Sequence, residues 1–345
     1  MYEKMKNKVD KELKRFINNI DKTYSLNRIS PLLSKCIRDF ILRDGKRIRP
    51  ILFVAGYLGF AKKAAPGLYT SALSIELLHD FMLVHDDIID KSDTRRGKPS
   101  MHKMFNIYLS RYKKIKFNGI DLGIITGDIM YAIAIKAFLS IKENMDRKEK
   151  ALKKFIEAAI YTGSGEFIEL LGGINHINKI TKEDIYRIYD YKTAHYTFST
   201  PLETGAILAG ADIKQTNKLS NFGVCLGRAF QIKDDILGIF GDEKKIGKST
   251  LSDLQEAKKT LLIWYAYRNA ERDNKKLIEK IFTKGRVNRT DLTTIRRIIR
   301  QSGALTQAKN EIRLLLNEAQ KLLSSSSIGH KSKMFLMNYA KKILD

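Results

Sequence analysis

Apolar residues recur along this chain with the spacing of helices. Met5, Val9, Leu13, Phe16, Ile17 and Ile20 fall three or four apart, which predicts an amphipathic helix at the start. Ser30-Pro31 opens a second, PLLSKCIRDFIL, with proline in its first turn. It ends near the turn signal Asp44-Gly45, and a mostly apolar helix follows Lys46-Arg47-Ile48-Arg49-Pro50. Leu68–Asp90 reads as one long apolar helix ending in aspartates. Asp121–Ser140 is nearly all apolar and belongs inside a bundle, with Asp128 read as an N-terminal cap. The charged segment Lys142–Lys150 reads as a surface connection. Helices are predicted at Ala151–Leu171 and Lys182–Tyr196, the second behind the capping signal Thr181-Lys182-Glu183-Asp184. Pro201 kinks or restarts the pattern. From Asn217 a periodic helix reaches a second acidic cluster, Gln231-Ile232-Lys233-Asp234-Asp235, followed by a looser stretch, Gly238–Asp253. Thr260–Asn269, Lys275–Phe282, Asp291–Ser302, Ala304–Leu323 and Lys331–Leu344 complete the helices, with Ser324–Ser327 as a linker. Neither a fixed-period repeat nor a convincing β-hairpin emerges. The expectation is an all-α chain forming one domain over residues 1–345.

Composition agrees: five prolines among 345 residues and abundant Leu, Ile, Ala, Lys and Glu favour helix. The two cysteines, Cys36 and Cys225, lie in apolar-periodic stretches and read as small core residues of a cytosolic protein. The start of the chain is charged, with no secretory h-region. The longest apolar run, Ile51–Ala61, is too short for a transmembrane segment. A soluble, cytoplasmic protein is expected. The net charge of +25 suits anionic partners. No zinc-finger, homeodomain or RNA-binding motif is present, and many lysines lie at helical-surface spacing among acids. A polyanionic small substrate therefore stands above nucleic acid.

Asp86, Asp87 and Asp90 close an apolar run and are followed by Arg95-Arg96-Gly97. In a helix, Asp86 and Asp90 share a face one turn apart. Two carboxylates on one face suit a hard cation such as Mg²⁺, which combines one or two carboxylates with substrate phosphates. Arginines close by can grip those phosphates bidentately. The alternative is a solvated helix end, and a lone D-D-x-x-D does not separate the two. Carboxylates at a helix C-terminus oppose the helix dipole, a conflict that bound cations would relieve. Lys46 to Arg49, on a glycine turn before a helix, suit a phosphate equally as they suit solvated loop charges. Asp234-Asp235 repeats the pattern of adjacent aspartates inside an apolar helix.

Together these pieces resemble the trans-isoprenyl diphosphate synthase (polyprenyl synthetase) family. The likeness runs from about Gly45 to Lys258. It rests on GKRIRP at Gly45–Pro50, ELLHDFMLVHDDIIDKSDTRRGKPS at Glu76–Ser100 and YKTAHYTFSTPLETGAILAG at Tyr191–Gly210. The fourth piece is FQIKDDILGIFGDEKKIGKSTLSDLQEAKKT at Phe230–Thr260. The resemblance implies a helical bundle with a central cavity between two aspartate-rich helices. It implies that Lys46, Arg49, His79 and Arg96 hold the diphosphate of isopentenyl diphosphate. Asp86, Asp90, Asp234 and Asp235 would ligate three Mg²⁺ ions. Arg95, Lys192, Lys248 and Lys258 would face the allylic diphosphate, with Thr193 and Gln231 near its reacting carbon. The implied reaction is electrophilic condensation of isopentenyl diphosphate with dimethylallyl, geranyl or farnesyl diphosphate, releasing pyrophosphate. A homodimer is expected from the resemblance alone.

The sequence departs from the family pattern in places. Gly238 stands where the second motif usually has its fifth-position aspartate, with Asp242 a candidate outer acid. Gly165-Glu166-Phe167-Ile168-Glu169 replaces Gly-Gln-x-x-Asp, and Ala257 replaces a glycine before Lys258. Phe81 and Met82, just upstream of Asp86, are the candidate floor of the product pocket. One aromatic at the fifth position before the motif and none at the fourth looks like geranylgeranyl (C20) synthases, ahead of farnesyl (C15) synthases. A class I terpene cyclase would show a different second motif and lack the Lys46–Arg49 and Arg95-Arg96 set. A non-catalytic partner subunit would have lost aspartates that are present here. A basic nucleic-acid-binding helical protein is the remaining alternative.

Overall fold

The computed structural model describes residues 2–243 and 249–344. The chain divides into two compact units, residues up to 153 with 204–211, and residues 154–203 with 212–345. Both are helical.

The first unit contains α1 (Tyr2–Tyr24), α2 (Leu26–Ile29), α3 (Pro31–Ile41), α4 (Ile48–Leu58), α5 (Leu68–Ile89), α6 (Met101–Leu109), α7 (Gly119–Phe138) and the start of α8 (Met145–Ile174). The six apolar positions that predicted α1 are its buried stripe. Ser30 caps α3 by accepting from the Leu33 amide, with Pro31 in the first turn. Helix α4 is buried from Pro50 to Tyr57 and α5 from Leu68 to Leu78 except at Tyr69, so both lack a broad polar face. The main packing partner of α5 in this unit is α7, which small residues let approach closely. A Cβ on Gly127 would lie 2.3 Å from the His85 ring.

The second unit adds α9 (Lys182–Tyr189), a π-helical segment Asp190–Ser199, α10 (Thr200–Leu208), α11 (Ile213–Phe240), α12 (Ser252–Gln255), α13 (Leu261–Asn269), α14 (Arg272–Phe282), α15 (Arg289–Gln301), α16 (Ala304–Ser324) and α17 (His330–Leu344), with residues 204–208 of α10 belonging to the first unit. Helix α11 is its axis, packed against the π segment and α16. Thr181 and Asp184 cap α9 reciprocally, as their spacing predicted.

Several boundaries differ from expectation. Asp128 is not a cap: Asn118 and Asp121 form the capping box of α7, and Asp128 stands mid-helix, exposed, 3.8 Å from His85. Asn144 accepts from the amides of Asp146 and Arg147, so the charged segment read as a connection through Lys150 is helical from Met145. The helix expected over Lys182–Tyr196 changes to π geometry at Asp190, and a new α-helix starts at Thr200 with Pro201 in its first turn. A two-residue hairpin, β1 (Thr94–Arg95) and β2 (Lys98–Pro99), also went unread. Its central residues Arg96 and Gly97 both have positive φ, 53° and 73°, the geometry of a type I′ turn.

Gly205, in the part of α10 that belongs to the first unit, is a second close approach. A Cβ there would lie 2.1 Å from the Phe53 carbonyl oxygen of α4, backbone that cannot rotate aside. Gly205→Ala is expected to lose about 1–3 kcal/mol of stability, measured by denaturant titration against wild type.

Candidate active site

The first unit gathers acids and arginines at the C-terminal end of α5. The Asp90 amide donates to the Asp86 carbonyl at 2.8 Å, so the two residues share the last turn. Both are half-buried, whereas Asp87 is buried. Arg95, on the hairpin, donates from Nε to Asp87 Oδ1 at 2.8 Å and from Nη2 to Asp86 Oδ2 at 3.1 Å. Burial raises the pKa of the Asp87 carboxyl, opposed by Arg95. The side chain of Asp87 is therefore committed to Arg95 within the fold. Asp86 and Asp90 offer hard oxygen donors on one face, the set a divalent cation with substrate phosphates would take.

Arg43 fixes the hairpin in place. Its guanidinium donates to the Arg95 carbonyl at 3.1 Å and the Pro99 carbonyl at 2.9 Å, while Asp39 holds it from α3. Next to it, Arg47 adopts a left-handed backbone, φ 50°, and turns inward. It pairs with Asp10 at 2.9 Å and Glu76 at 2.8 Å and donates to the Arg43 carbonyl at 2.6 Å. Lys46 remains exposed on the same turn, its carbonyl accepting from the Tyr2 hydroxyl.

His79 lies within the electrostatic reach of Arg49 and Arg96. Burial, with Arg49 and Arg96 the nearest of four arginines, pushes the His79 pKa well below the usual imidazole value; the ring is neutral at pH 7. Beside it Asp80 is fully buried, 3.6 Å from Arg96, and neither of its oxygens has a hydrogen-bond partner among the described residues. Burial and the neighbouring Glu76 push the Asp80 carboxyl up to about 7, against the pull of Arg96, Arg47 and Arg49.

In the second unit, Thr193 Oγ1 donates to Gln231 Oε1 at 2.8 Å, and Gln231 Nε2 donates to Asp235 Oδ1 at 3.1 Å. The Tyr189 hydroxyl donates to the other Asp235 oxygen and accepts from the Leu261 amide at 2.8 Å. Asp235 is buried, and burial pushes its carboxyl up to about 8 despite these donors. Asp234 is half-buried. The two aspartates of the second motif are thus unequal: Asp235 is buried in a side-chain network, and Asp234 is the more exposed of the two.

Lys192 pairs with Glu166 at 2.6 Å and with Glu169. Gly165 permits this, because a Cβ there would lie 2.6 Å from the Lys192 amide nitrogen. Lys258 pairs with Glu256 at 2.7 Å; burial opposes its charge, but Glu169 and Glu256 hold the ammonium protonated. Lys248 lies outside the described residues. At Gly238, an added Cβ would meet Asp253 Oδ2 at 2.2 Å. The carboxylate nearest the missing fifth aspartate is therefore Asp253, whereas Asp242 is exposed.

Ala257 also gains an explanation. Its φ is 51°, and its amide donates to Leu254 while that of Lys258 donates to Asp253, both at 3.0 Å. This is a Schellman end to α12, in which the left-handed residue is ordinarily glycine.

Sequence reasoning missed Arg43, Arg47, Asp80, Tyr189 and Asp253. Asp80 carried a signal, an acid within an apolar helix; the others look like ordinary loop or helix-surface residues until the chain folds.

Clustered acids, a neutral histidine and arginines in one helical unit are the groups that a protein handling diphosphates would need. Residues 30–299 match the family model described as Polyprenyl synthetase, and the chain belongs to that family. It is a prenyltransferase of the isoprenyl diphosphate synthase class, a magnesium-dependent group. The chain is 29% identical to the geranylgeranyl diphosphate synthase of Sulfolobus acidocaldarius, over 95% of this chain and 96% of that one. It is 32% identical to the geranylfarnesyl diphosphate synthase of Aeropyrum pernix, over 85% and 87%. The structure of a Corynebacterium glutamicum geranylgeranyl pyrophosphate synthase, complexed with isoprenyl diphosphate and magnesium, matches with a TM-score of 0.89 at 25% identity. That match covers 100% of this chain and 99% of that one.

Two outcomes are expected. Ala257→Gly relieves a left-handed alanine and should add about 1 kcal/mol, read as a higher Tm. For Asp80 the folded pKa, about 7, lies above the unfolded value, so its contribution to stability falls as pH rises from about 4 to 7 and is constant above. Asp80→Asn should therefore gain on wild type by about 2–5 °C across that window; parallel Tm-against-pH curves would show that the carboxyl ionises without penalty.

Proposed function

We propose that this prenyltransferase condenses isopentenyl diphosphate with allylic diphosphates, 1′-4 and head-to-tail, and that its main product is geranylgeranyl diphosphate (C20). The two units act as one synthase domain over residues 1–345, in the cytoplasm and as a homodimer. Among the described residues no helix is long and apolar enough to cross a membrane.

The observation that carries the C20 reading is the setting of Phe81. Its ring lies 4.8 Å from His85, edge-on, and 5.1 Å from Tyr131 of α7. An aromatic wedge thus stands a little over one helical turn before Asp86, about 7–8 Å along the axis. Tyr131 backs it, so the floor would be firm. Met82 is half-buried beside it and can yield, because an unbranched thioether repacks easily.

In this reading Lys46, Arg49, His79 and Arg96 bind isopentenyl diphosphate, the neutral ring of His79 donating a hydrogen bond. Asp86, Asp90, Asp234 and Asp235 would hold the metal, with Asp235 dependent on Tyr189 and Gln231 for its orientation. Three Mg²⁺ ions, when bound, supply charge neutralisation for the departing pyrophosphate. Arg95, Lys192 and Lys258 add to the same group positive charge held in place by the fold, so that allylic C–O cleavage meets a preorganised field; Lys248, outside the described residues, is assigned to the same group by the resemblance. Lys192 would exchange part of its hold on Glu166 and Glu169 for that phosphate. Thr193 and Gln231 border the allylic carbon and help keep water from the cation. The C3–C4 double bond attacks that carbon, and pyrophosphate takes the proton lost as the new trans double bond forms.

The test supplies purified protein and Mg²⁺ with isopentenyl diphosphate and each allylic diphosphate in turn. C20 as the dominant chain length by chromatography is expected; C15 or C25 would displace that assignment, and no condensation would overturn the function. Phe81→Ala should shift products to longer chains by at least one isoprene unit, and an unchanged distribution would remove Phe81 as the floor.

A further inference from the structure

The segment between α6 and α7, residues 110–118, has a composition that catalysis does not use. It reads Ser110-Arg111-Tyr112-Lys113-Lys114-Ile115-Lys116-Phe117-Asn118, and no acid occurs between Asp93 and Asp121. Every residue of it is exposed. Tyr112, Ile115 and Phe117 are 49%, 41% and 47% exposed, and Ile107 on the adjoining turn of α6 is 62% exposed. Among the described residues, Lys113, Lys114 and Lys116 have no ion pair or hydrogen bond, and Arg111 only lies over the Tyr108 ring.

The base of this loop is tightly closed. Asn118 accepts from the Ile120 amide, the Gly119 amide donates to Asn106 Oδ1 at 2.8 Å, and a Cβ on Gly119 would lie 2.1 Å from the His102 carbonyl. The loop is therefore presented outward by a fixed stem. Its place in the first unit is also defined: Gly123, in the second turn of α7, packs against Ile88, between Asp86 and Asp90. The loop projects from the aspartate end of α5.

Alternating cations and apolar tips on a fixed stem match one chemistry well. Lysines near an anionic lipid surface gain electrostatic attraction, while aromatic and aliphatic tips enter the headgroup–acyl boundary. A nucleic acid would use the cations and the aromatic rings but would leave Ile107 and Ile115 without an apolar environment. We propose that residues 107–117 form a docking surface for an anionic lipid bilayer, holding the aspartate end of the first unit toward the membrane. For an enzyme whose product carries a long apolar tail, such docking would place release beside a lipid phase.

The experiment uses the full chain and co-sedimentation with vesicles, either phosphatidylcholine alone or phosphatidylcholine and phosphatidylglycerol in equal parts. One variant carries Lys113→Glu, Lys114→Glu and Lys116→Glu. A control carries Lys4→Glu, Lys11→Glu and Lys14→Glu, the same charge change at exposed positions of α1. A third replaces Tyr112, Ile115 and Phe117 by Ser. Wild type should prefer the anionic vesicles at physiological salt. The loop charge variant should bind at least tenfold more weakly, the α1 control within about twofold of wild type, and the serine variant several-fold more weakly. Circular dichroism and unchanged condensation rates without vesicles would show that the loop variants remain folded. Equal losses in the loop and α1 variants would reduce the effect to net charge and overturn the proposal. So would equal binding to both vesicle types, a change in oligomeric mass caused by the loop variants, or retention of wild type on duplex DNA through these lysines without vesicle binding. The vesicle readout does not depend on prenyltransferase activity.

Discussion

The first unit is organised around buried positive charge. Arg47 is only 3% exposed and is held by Glu76 and Asp10. A guanidinium cannot shed its proton, so burying it demands acids and carbonyls in fixed positions. Those partners come from α1, α5 and the end of α3, and the left-handed turn at Arg47 is what brings them together. Arg43 extends the brace to the hairpin, whose backbone it grips at Arg95 and Pro99. The hairpin that carries Arg95 and Arg96 is thus braced by two arginines that face the protein.

This arrangement explains the chemistry of the nearby acids. Arg95 holds one oxygen of Asp87 and leans on Asp86, so Asp87 is tied into the fold while Asp86 and Asp90 stand half-buried on one face of the helix end. A similar inequality appears at the second motif, where Tyr189 and Gln231 hold the buried Asp235 and Asp234 is half-buried. In each pair of adjacent aspartates, one side chain is buried among protein donors and the other is only half-buried. Burial raises the pKa of Asp87 and Asp235, as expected when desolvation outweighs the donors.

Departures from the family pattern prove local. Ala257 takes the left-handed angle that glycine would take more cheaply, and the helix end it terminates is intact. Gly238 leaves room that Asp253 fills. The lengthened Glu169 and the added charge of Glu166 both reach Lys192. Each change keeps a carboxylate or a backbone geometry in place by another route.

The long helices and most of their boundaries were legible in the sequence, because apolar spacing, caps and prolines act within a few residues of one another; α2, α6 and α12 went unread. The aspartate-rich motifs were legible for the same reason, Asp86 and Asp90 lying one turn apart and Asp234 and Asp235 side by side. What the chain alone left open depended on partners distant in sequence. Nothing local makes Arg47 turn inward; Glu76, 29 residues on, does so. The π geometry at Asp190–Ser199 comes with close backbone contacts to α11 at Gly223 and Gly227, and Asn118 displaced Asp128 as the cap because the helix begins nine residues earlier. Asp80 shows the boundary most clearly. Sequence placed an acid in an apolar helix, but only tertiary structure surrounded it with Glu76 and three arginines, and charge and burial, acting through space, set its pKa.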